Sequence, residues 1–339
     1  IPFTTVNFGS KVTRIPSSLL NGCSEIEYIT LPETVKSIGD GAFSNCKKLK
    51  SITLPDSLVT IGVGAFYCCE SLESIELPDG LSVVKANAFM DCNKITELTI
   101  PGSVIKFSAT AFPESLTMLH FNAENCSFTD LSYSESLGTY TSPFINTKIT
   151  NVTISNSIKR IPSYMFCGVK TLESITLPDS VTEVGKESFR DSSIKNIRFS
   201  SNLIVLEDRA FYNTSVKFEG DKLPDGMRMI GKEAFAYCNG IEEIYIPDSV
   251  VDIAEGAFKE CENLTKVRMS PNVRLIADNA FKNCIALYEF IWDSDIKLIA
   301  DQAFYNCRAL TDFDFTGVEL LYPNSFTYTG VTLVTLGED

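Results

Sequence analysis

The chain of 339 residues carries 43 acidic and 29 basic side chains, a net charge of −14, so it should repel the phosphates of nucleic acids and of anionic membranes. Its hydrophobic content of 44% is enough for a continuous core, whereas no apolar run approaches the roughly 18–20 residues of a membrane span. Because the sequence begins with Ile1 and shows no signal peptide, we expect it to be a trimmed or mature fragment.

The first predicted element is a strand at residues 5–8, and from there a phenylalanine recurs, mostly every 22 to 24 residues. Self-similarity at this period is typical of a solenoid, in which each repeat forms one coil that stacks on the next. We predict about 14 units in a single domain over residues 1–339, with Leu20 in place of the first phenylalanine. The recurring residues are Phe43, Phe66, Phe89, Phe112, Phe144, Phe166, Phe189, Phe211, Phe235, Phe258, Phe281, Phe304 and Phe326.

One unit, residues 46–66, shows how a coil is built. Ile52 and Leu54 alternate with polar residues, which predicts a half-buried strand. Pro55 ends that strand because proline has no N–H for a ladder hydrogen bond. Gly62 is predicted to turn the chain, and a tight helical turn then places Phe66 in the core. No single coil can bury this apolar set, so successive coils must stack into one core.

The pattern Cys-x-x-Leu-x-x-Ile-x-Leu-Pro-x-x-Leu-x-x-Ile-Gly-x-x-Ala-Phe, seen from Cys46 to Phe66 and repeated over nearly the whole chain, resembles the BspA-like leucine-rich repeats. The resemblance implies a curved, right-handed leucine-rich-repeat solenoid with a parallel β-sheet on its concave side. Short strands and tight helical turns would form the convex side. It also implies a cell-surface or secreted protein of host-associated bacteria or protozoan parasites that adheres to host or neighbouring-cell components.

The repeat is interrupted twice. An irregular insertion near residues 122–140 is polar and rich in Ser and Tyr, and it is either a tolerated surface loop or a binding loop on a rigid scaffold. After Phe211 the unit is short before the strand at residues 216–218 and long after it, at residues 219–225. This difference in length should bend or bulge the coil. A last strand is predicted at residues 332–336, and we expect the native chain to continue beyond Asp339.

Eight of the eleven cysteines fall three residues after the recurring position, at an inward-facing place in the coil. We predict a ladder of small buried thiols with weak hydrogen bonds. Thiols pointing in parallel suit a disulfide poorly, and ligands spaced one coil apart do not converge on a metal. Cys68, Cys126 and Cys167 lie off the ladder, whose members are Cys23, Cys46, Cys69, Cys92, Cys238, Cys261, Cys284 and Cys307.

Catalytic chemistry finds little support in the sequence. The one histidine, His120, lies on the outward side of a strand, and no nucleophile elbow accompanies it. Asp312 and Asp314 alternate on a predicted strand, and we interpret them as solvated charges or a weak cation site rather than an acid/base pair. We therefore expect no enzyme activity, no cofactor and no metal.

The outward strand residues remain as the candidate binding surface. Basic and aromatic residues gather there in the later coils of an otherwise acidic chain, and Tyr and Arg are enriched at binding hot spots. Our hypothesis is that this patch contacts a protein or anionic glycan on host or other cells; the alternative is ordinary solvated strand surface, with the chain acting as a passive spacer that displays another domain. The patch consists of Arg198, Lys217, Tyr245, Lys266 and Arg268.

Overall fold

The computed structural model describes residue 4 and residues 6–292 and 296–332. The chain divides into two compact units, residues 1–158 and residues 159–339. Each unit is a β-solenoid of stacked parallel strands, and most coils contribute to two rows: a first strand row before the recurrent proline and a second strand row before the phenylalanine turn. That the two units act as one domain stays a prediction.

In the N-terminal unit the first strand row forms two parallel sheets, and the second strand row forms a single sheet of six parallel strands. The first row contains β2 (Tyr28–Thr30), β4 (Ser51–Thr53), β7 (Glu97–Ile100), β9 (Met118–Phe121) and β13 (Asn151–Ile154). The second row contains β1 (Arg14–Ile15), β3 (Ser37–Ile38), β5 (Thr60–Ile61), β6 (Val83–Val84), β8 (Lys106–Ser108) and β10 (Ser127–Thr129).

The C-terminal unit repeats this arrangement, with three- and five-stranded parallel sheets. Its first strand row contains β15 (Ser174–Thr176), β17 (Asn196–Arg198), β19 (Lys217–Phe218), β21 (Glu243–Tyr245), β23 (Lys266–Arg268) and β25 (Glu289–Ile291). Its second strand row contains β14 (Arg160–Ile161), β16 (Glu183–Val184), β18 (Val205–Leu206), β20 (Met229–Ile230), β22 (Asp252–Ile253), β24 (Leu275–Ile276), β26 (Leu298–Ile299) and β27 (Leu320–Leu321).

Stacked phenylalanines form the core of each coil, as the repeat predicts. Phe43, Phe66 and Phe89 are fully buried, and the ring centroids of neighbours are 5.4 and 5.6 Å apart. The same stack runs from Phe166 to Phe326 in the C-terminal unit, with centroids 5.0–5.6 Å apart. Each buried ring removes on the order of 150–250 Å² from water, so this column supplies a large share of the apolar burial.

The turn that carries each phenylalanine differs from the predicted tight helical turn. In most of these turns the residues two before and two after the ring adopt positive φ, as Gly41 (62°) and Asn45 (58°) do around Phe43. Alternate amides therefore point to the next coil: Phe43 N–H donates to the Ala65 carbonyl at 2.8 Å, while Ala42 N–H bonds back within its own turn. A helix would direct every N–H along its own axis. In the described residues the only helices are the 3₁₀ segments Ala109–Ala111 and Glu219–Asp221.

The insertion near residues 122–140 is more regular than the sequence suggests. Its first part, β10, pairs in parallel with β8 and so continues the second strand row. Only the antiparallel hairpin of β11 (Tyr133–Ser134) and β12 (Thr139–Tyr140) departs from the repeat. The predicted strand at 5–8 is not formed at residues 6–8, and Thr5 lies outside the described residues, as do residues 333–336 of the predicted last strand. No helix in the described chain is long and apolar enough to cross a bilayer.

Candidate binding surface

All five residues of the predicted patch lie on the first strand row of the C-terminal unit. Arg198 ends β17, Lys217 begins β19, Tyr245 ends β21, and β23 carries Lys266 and Arg268. The residues between them, such as Val267, are buried. Because side chains alternate across a strand, the five side chains project from the outer side of the sheet.

The chain bulges directly after β19, as the long segment at residues 219–225 predicts. The 3₁₀ segment Glu219–Asp221 contains Gly220 with φ 70°, and the chain returns to the sheet where Lys222 forms a parallel bridge with Tyr245. Tyr245 also pairs in register with Arg268. The tyrosine ring lies between two cations, with Lys222 Nζ 5.1 Å and the Arg268 guanidinium carbon 5.0 Å from its centroid. We call this arrangement the Lys222–Tyr245–Arg268 stack.

Lys222 is absent from the predicted patch, although the sequence contains a signal for it. The pair Leu223-Pro224 repeats the Leu-Pro that ends other first-row strands, such as Leu177-Pro178. The residue before that leucine is the last outward position of the strand, so Lys222 corresponds to Thr176. The prediction of a bend or bulge over the whole of residues 219–225 missed this strand position.

Salt bridges neutralise two of the predicted cations. Lys217 Nζ lies 2.9 Å from Glu242 Oε1, and Lys266 Nζ lies 2.9 Å from Glu289 Oε2. The hydrogen bond to Glu289 raises the pKa of Lys266 above its ordinary value. The surface is therefore a mixture of both charges rather than a purely basic patch.

A cavity of about 380 Å³ opens between β17 and the returning chain at Lys222. We call it the notch; Arg198 and Lys222 line it together with Asp179 and Asp225, over the apolar side chain of Leu223. Lys222 Nζ pairs with Asp225 at 2.6 Å. Asp179 accepts the backbone N–H and the hydroxyl of Ser201 at 3.0 and 2.8 Å, and these bonds lower the pKa of Asp179, as does the charge of Arg198 to a smaller extent.

The sequence profile of the BspA type leucine rich repeat region (6 copies) matches residues 2–119, 136–238 and 228–339. The chain belongs to this family. Among curated proteins no relative of the chain was found.

Several solved structures are similar to this BspA-type chain. A leucine-rich repeat protein from Bacteroides ovatus is 24% identical, with 93% of this chain and 82% of that chain covered and a TM-score of 0.49. One from Eubacterium ventriosum is 19% identical over 96% and 82% of the two chains, with a TM-score of 0.48. A leucine-rich cell-surface protein from Faecalibacterium prausnitzii is 24% identical over 84% and 77%, with a TM-score of 0.37.

The cysteine ladder of the BspA-type repeat is a hydrogen-bonded feature of the core. Six of these thiols donate to the carbonyl of the phenylalanine in the preceding coil, as Cys69 Sγ does to Phe43 O at 3.2 Å and Cys261 Sγ to Phe235 O at 3.1 Å. Cys46 Sγ donates in the same way to Leu20 O at 3.2 Å. All eleven cysteines are free, and seven of the eight ladder cysteines are buried, whereas Cys23 is half-buried. The predicted ladder of buried, weakly hydrogen-bonded thiols is confirmed for those seven. Within the described residues no group of three or more His, Cys, Asp or Glu side chains is arranged to hold a metal ion.

Burial should make these thiols unreactive in the folded chain. Desolvation raises the pKa of Cys46 and Cys307 to about 12 and that of Cys238 to about 11, so little thiolate forms at mildly alkaline pH. We expect a disulfide reagent such as DTNB to label only the half-buried Cys23 and Cys68 rapidly, and to label all eleven cysteines in denaturing guanidinium. Replacing Cys23 and Cys68 with serine should remove the rapid phase; rapid labelling of further thiols would show that the ladder opens.

The remaining polar candidates lie on ordinary repeat positions. His120 lies between first-row neighbours, with Nδ1 2.6 Å from Thr153 Oγ1 and Nε2 2.9 Å from Glu97 Oε1. Asp312 and Asp314 are exposed on either side of the buried Phe313. Hydrogen bonds from the Thr316 side chain and backbone lower the pKa of Asp314. The hydrogen bonds of His120 and Asp314 are made to neighbouring first-row residues and to a local turn.

The hairpin of the N-terminal unit is a second exposed surface. Tyr133 and Tyr140 pair across its strands with ring centroids 5.6 Å apart, edge to face. The two residues are 60% and 46% exposed, as are other tyrosines of this chain such as Tyr28 at 59%. The two interpretations of the insertion, a tolerated loop and a binding loop, both fit this geometry.

Proposed function

We propose that this chain is a non-enzymatic binding module of a cell-surface or secreted protein, and that it binds a partner through the first strand row of its C-terminal unit. The Lys222–Tyr245–Arg268 stack is the observation that supports this proposal most directly. It presents an aromatic ring and two cations on the outward side of a sheet, and two of its three residue types, Tyr and Arg, are enriched at binding hot spots.

The scaffold also favours binding because it reduces the entropy lost on association. Tyr245 is half-buried. Its backbone pairs with Lys222 on one side and with Arg268 on the other, and the side chains of the same two residues contact its ring. A side chain that is already ordered loses little freedom when a partner arrives. The predicted curvature and right-handed winding, which would place this row on the concave side, stay predictions.

The mixed charge of the surface indicates a protein partner that carries both acidic and polar groups. Glu242 and Glu289 compensate Lys217 and Lys266, and the whole chain has a net charge of −14. This acidic background would repel a densely charged anionic glycan. The alternative role, a passive spacer that displays another domain, predicts no partner for this surface.

The proposal can be tested with a binding screen of the purified chain against extracellular-matrix proteins, mucins and a glycan array, at low and physiological salt. For any partner found, Lys266→Glu with Arg268→Glu should weaken binding by about tenfold or more, since hot-spot residues account for most of a binding energy. The double variant Lys47→Glu with Lys48→Glu makes the same charge change at exposed salt bridges of the N-terminal unit and should have little effect.

A third variant, Tyr133→Ala with Tyr140→Ala, locates the surface if the prediction is wrong. Loss of binding in this hairpin variant alone would move the site to the insertion. Equal loss in both charge variants would indicate a long-range effect of net charge rather than a site. A folded chain that binds nothing in the screen would favour the spacer role.

A further inference from the structure

We propose that the notch between Arg198 and Lys222 is a carboxylate-binding subsite, which receives an Asp or Glu side chain of a protein partner. The inference rests on the proposed function, because it assigns a chemistry to one part of that binding surface. It is carried by the bulge after β19, which removes from one side of Arg198 and Phe199 the following strand that β15, β21 and β23 retain.

The bulge leaves a backbone donor unused. In three other coils of this unit the residue after the first-row strand donates its N–H to the strand of the next coil: Leu177 to the Arg198 carbonyl at 2.9 Å, Ile246 to the Arg268 carbonyl at 2.9 Å and Met269 to the Ile291 carbonyl at 2.8 Å. Phe199 occupies the same place, but the chain turns away at Glu219, and its N–H has no acceptor in the part of the chain that the structure describes. Phe199 lines the notch, so this amide can serve a ligand.

Arg198 adds a second donor beside this amide. Its side chain is exposed, lines the notch, and makes no salt bridge or hydrogen bond with any described residue. Guanidinium groups bind carboxylates through two parallel hydrogen bonds, a geometry that a lysine does not offer. By contrast, Lys217 and Lys266 of the same row are held by glutamates, so Arg198 is the better-placed cation for an incoming anion.

The far wall of the notch favours a single carboxylate over a polyanion. Lys222 lines the cavity together with Arg198, but its ammonium group already pairs with Asp225, and Asp179 lines the cavity as well. A chain with a sulfate or carboxylate on every sugar would be repelled by these acids. One carboxylate with the amide groups of a peptide around it fits better, because Asp179 and Asp225 can accept peptide N–H groups while Leu223 and Phe218 contact side-chain carbons.

A direct test uses the full chain and two blocked tripeptides, acetyl-Gly-Asp-Gly-amide and its neutral analogue acetyl-Gly-Asn-Gly-amide. We expect the Asp peptide to shift the NMR signals of the Phe199 and Ser200 amides, with a Kd on the order of millimolar for so small a ligand. Arg198→Ala should weaken this binding about tenfold. Lys195→Ala removes an exposed cation that pairs with Glu173 outside the notch and should leave it unchanged.

Three results would overturn the subsite: equal shifts with both peptides, no effect of Arg198→Ala, or tighter binding of methyl glucuronide than of the Asp peptide, which would make a sugar acid the ligand.

Failure of the subsite and failure of the proposed function can be told apart. A partner whose binding depends on Arg268 but not on Arg198 refutes the subsite alone. Specific Asp-peptide binding in a chain that binds no protein refutes the proposed function and supports the subsite.

Discussion

Replacing Phe258 with alanine is expected to lower the free energy of unfolding of the chain by about 3–5 kcal/mol, the usual cost of emptying a buried aromatic position. Phe258 is fully buried and stacks between Phe235 and Phe281, with centroids 5.5 and 5.4 Å away. A cavity there removes contacts from both neighbouring coils. In a solenoid the stability of each coil depends on its interfaces with the next ones, so the loss should spread beyond one repeat.

The matched control is Phe326→Ala, which makes the same change in the last phenylalanine turn that the structure describes. Phe326 is half-buried, and its ring stacks on Phe304 at 5.1 Å from one side of the column. We expect a distinctly smaller loss. Urea unfolding followed by circular dichroism measures both variants, and equal losses at the two positions would contradict a column in which every inner ring is supported on both faces.

The coil architecture was predictable because it depends on which residue types recur at a fixed spacing. An inward leucine or isoleucine, a proline that ends the strand and a buried phenylalanine each follow from local rules that hold in every repeat. The cysteine position was also predictable as an inward place. Its partner, the phenylalanine carbonyl of the preceding coil, requires knowledge of how two coils stack, which spacing alone does not supply.

The turn around each phenylalanine was harder to predict because many residue types occupy its left-handed positions. Gly41 and Asn45 are typical of such a backbone, but Tyr164 and Arg209 adopt it as well, with φ 61° and 54°. Hydrogen bonds to the next coil hold the turn at these positions, such as Tyr164 N–H to the Lys186 carbonyl at 3.0 Å. The stacking of coils thus overrides the backbone preference of individual residues, and the sequence of a single repeat does not reveal this effect.

The candidate surface shows the same difference between what local sequence rules predict and what the stacking of coils determines. The five outward residues followed from strand alternation, whereas the pairing of their charges follows from register. Lys266 and Glu289 are one repeat apart and face each other in neighbouring strands, so their salt bridge could have been inferred by adding a repeat period to each charged position. The bulge that creates the notch breaks that rule between Lys217 and Lys222, and the unused Phe199 amide is a consequence that only the three-dimensional path of the chain reveals.

A buried charge cluster in the turns of the C-terminal unit is the feature most remote from the repeat pattern. Arg190 is only 11% exposed and bonds Glu187 at 3.0 Å and Asp191 at 3.1 Å, whose side chains are 4% and 9% exposed. The guanidinium carbon also lies 4.9 Å from the ring centroid of Tyr212. Two acids and one arginine thus share a site largely removed from water, and each depends on the others for its solvation.

Arg190→Met should therefore destabilise the chain by about 3–5 kcal/mol, because it removes the arginine that bonds both buried carboxylates and leaves Glu187 with the more distant Arg209 at 3.9 Å. Adding Glu187→Gln and Asp191→Asn should recover part of the loss, since the remaining groups are then neutral and Asn213 can still bond position 191, as its Nδ2 does to Asp191 Oδ1 at 2.6 Å. Lys48→Met, which breaks an exposed pair with Glu25, should cost about 1 kcal/mol or less. Urea midpoints of the four proteins decide the matter: if Arg190→Met costs no more than Lys48→Met, the cluster is solvated and its charges are not interdependent.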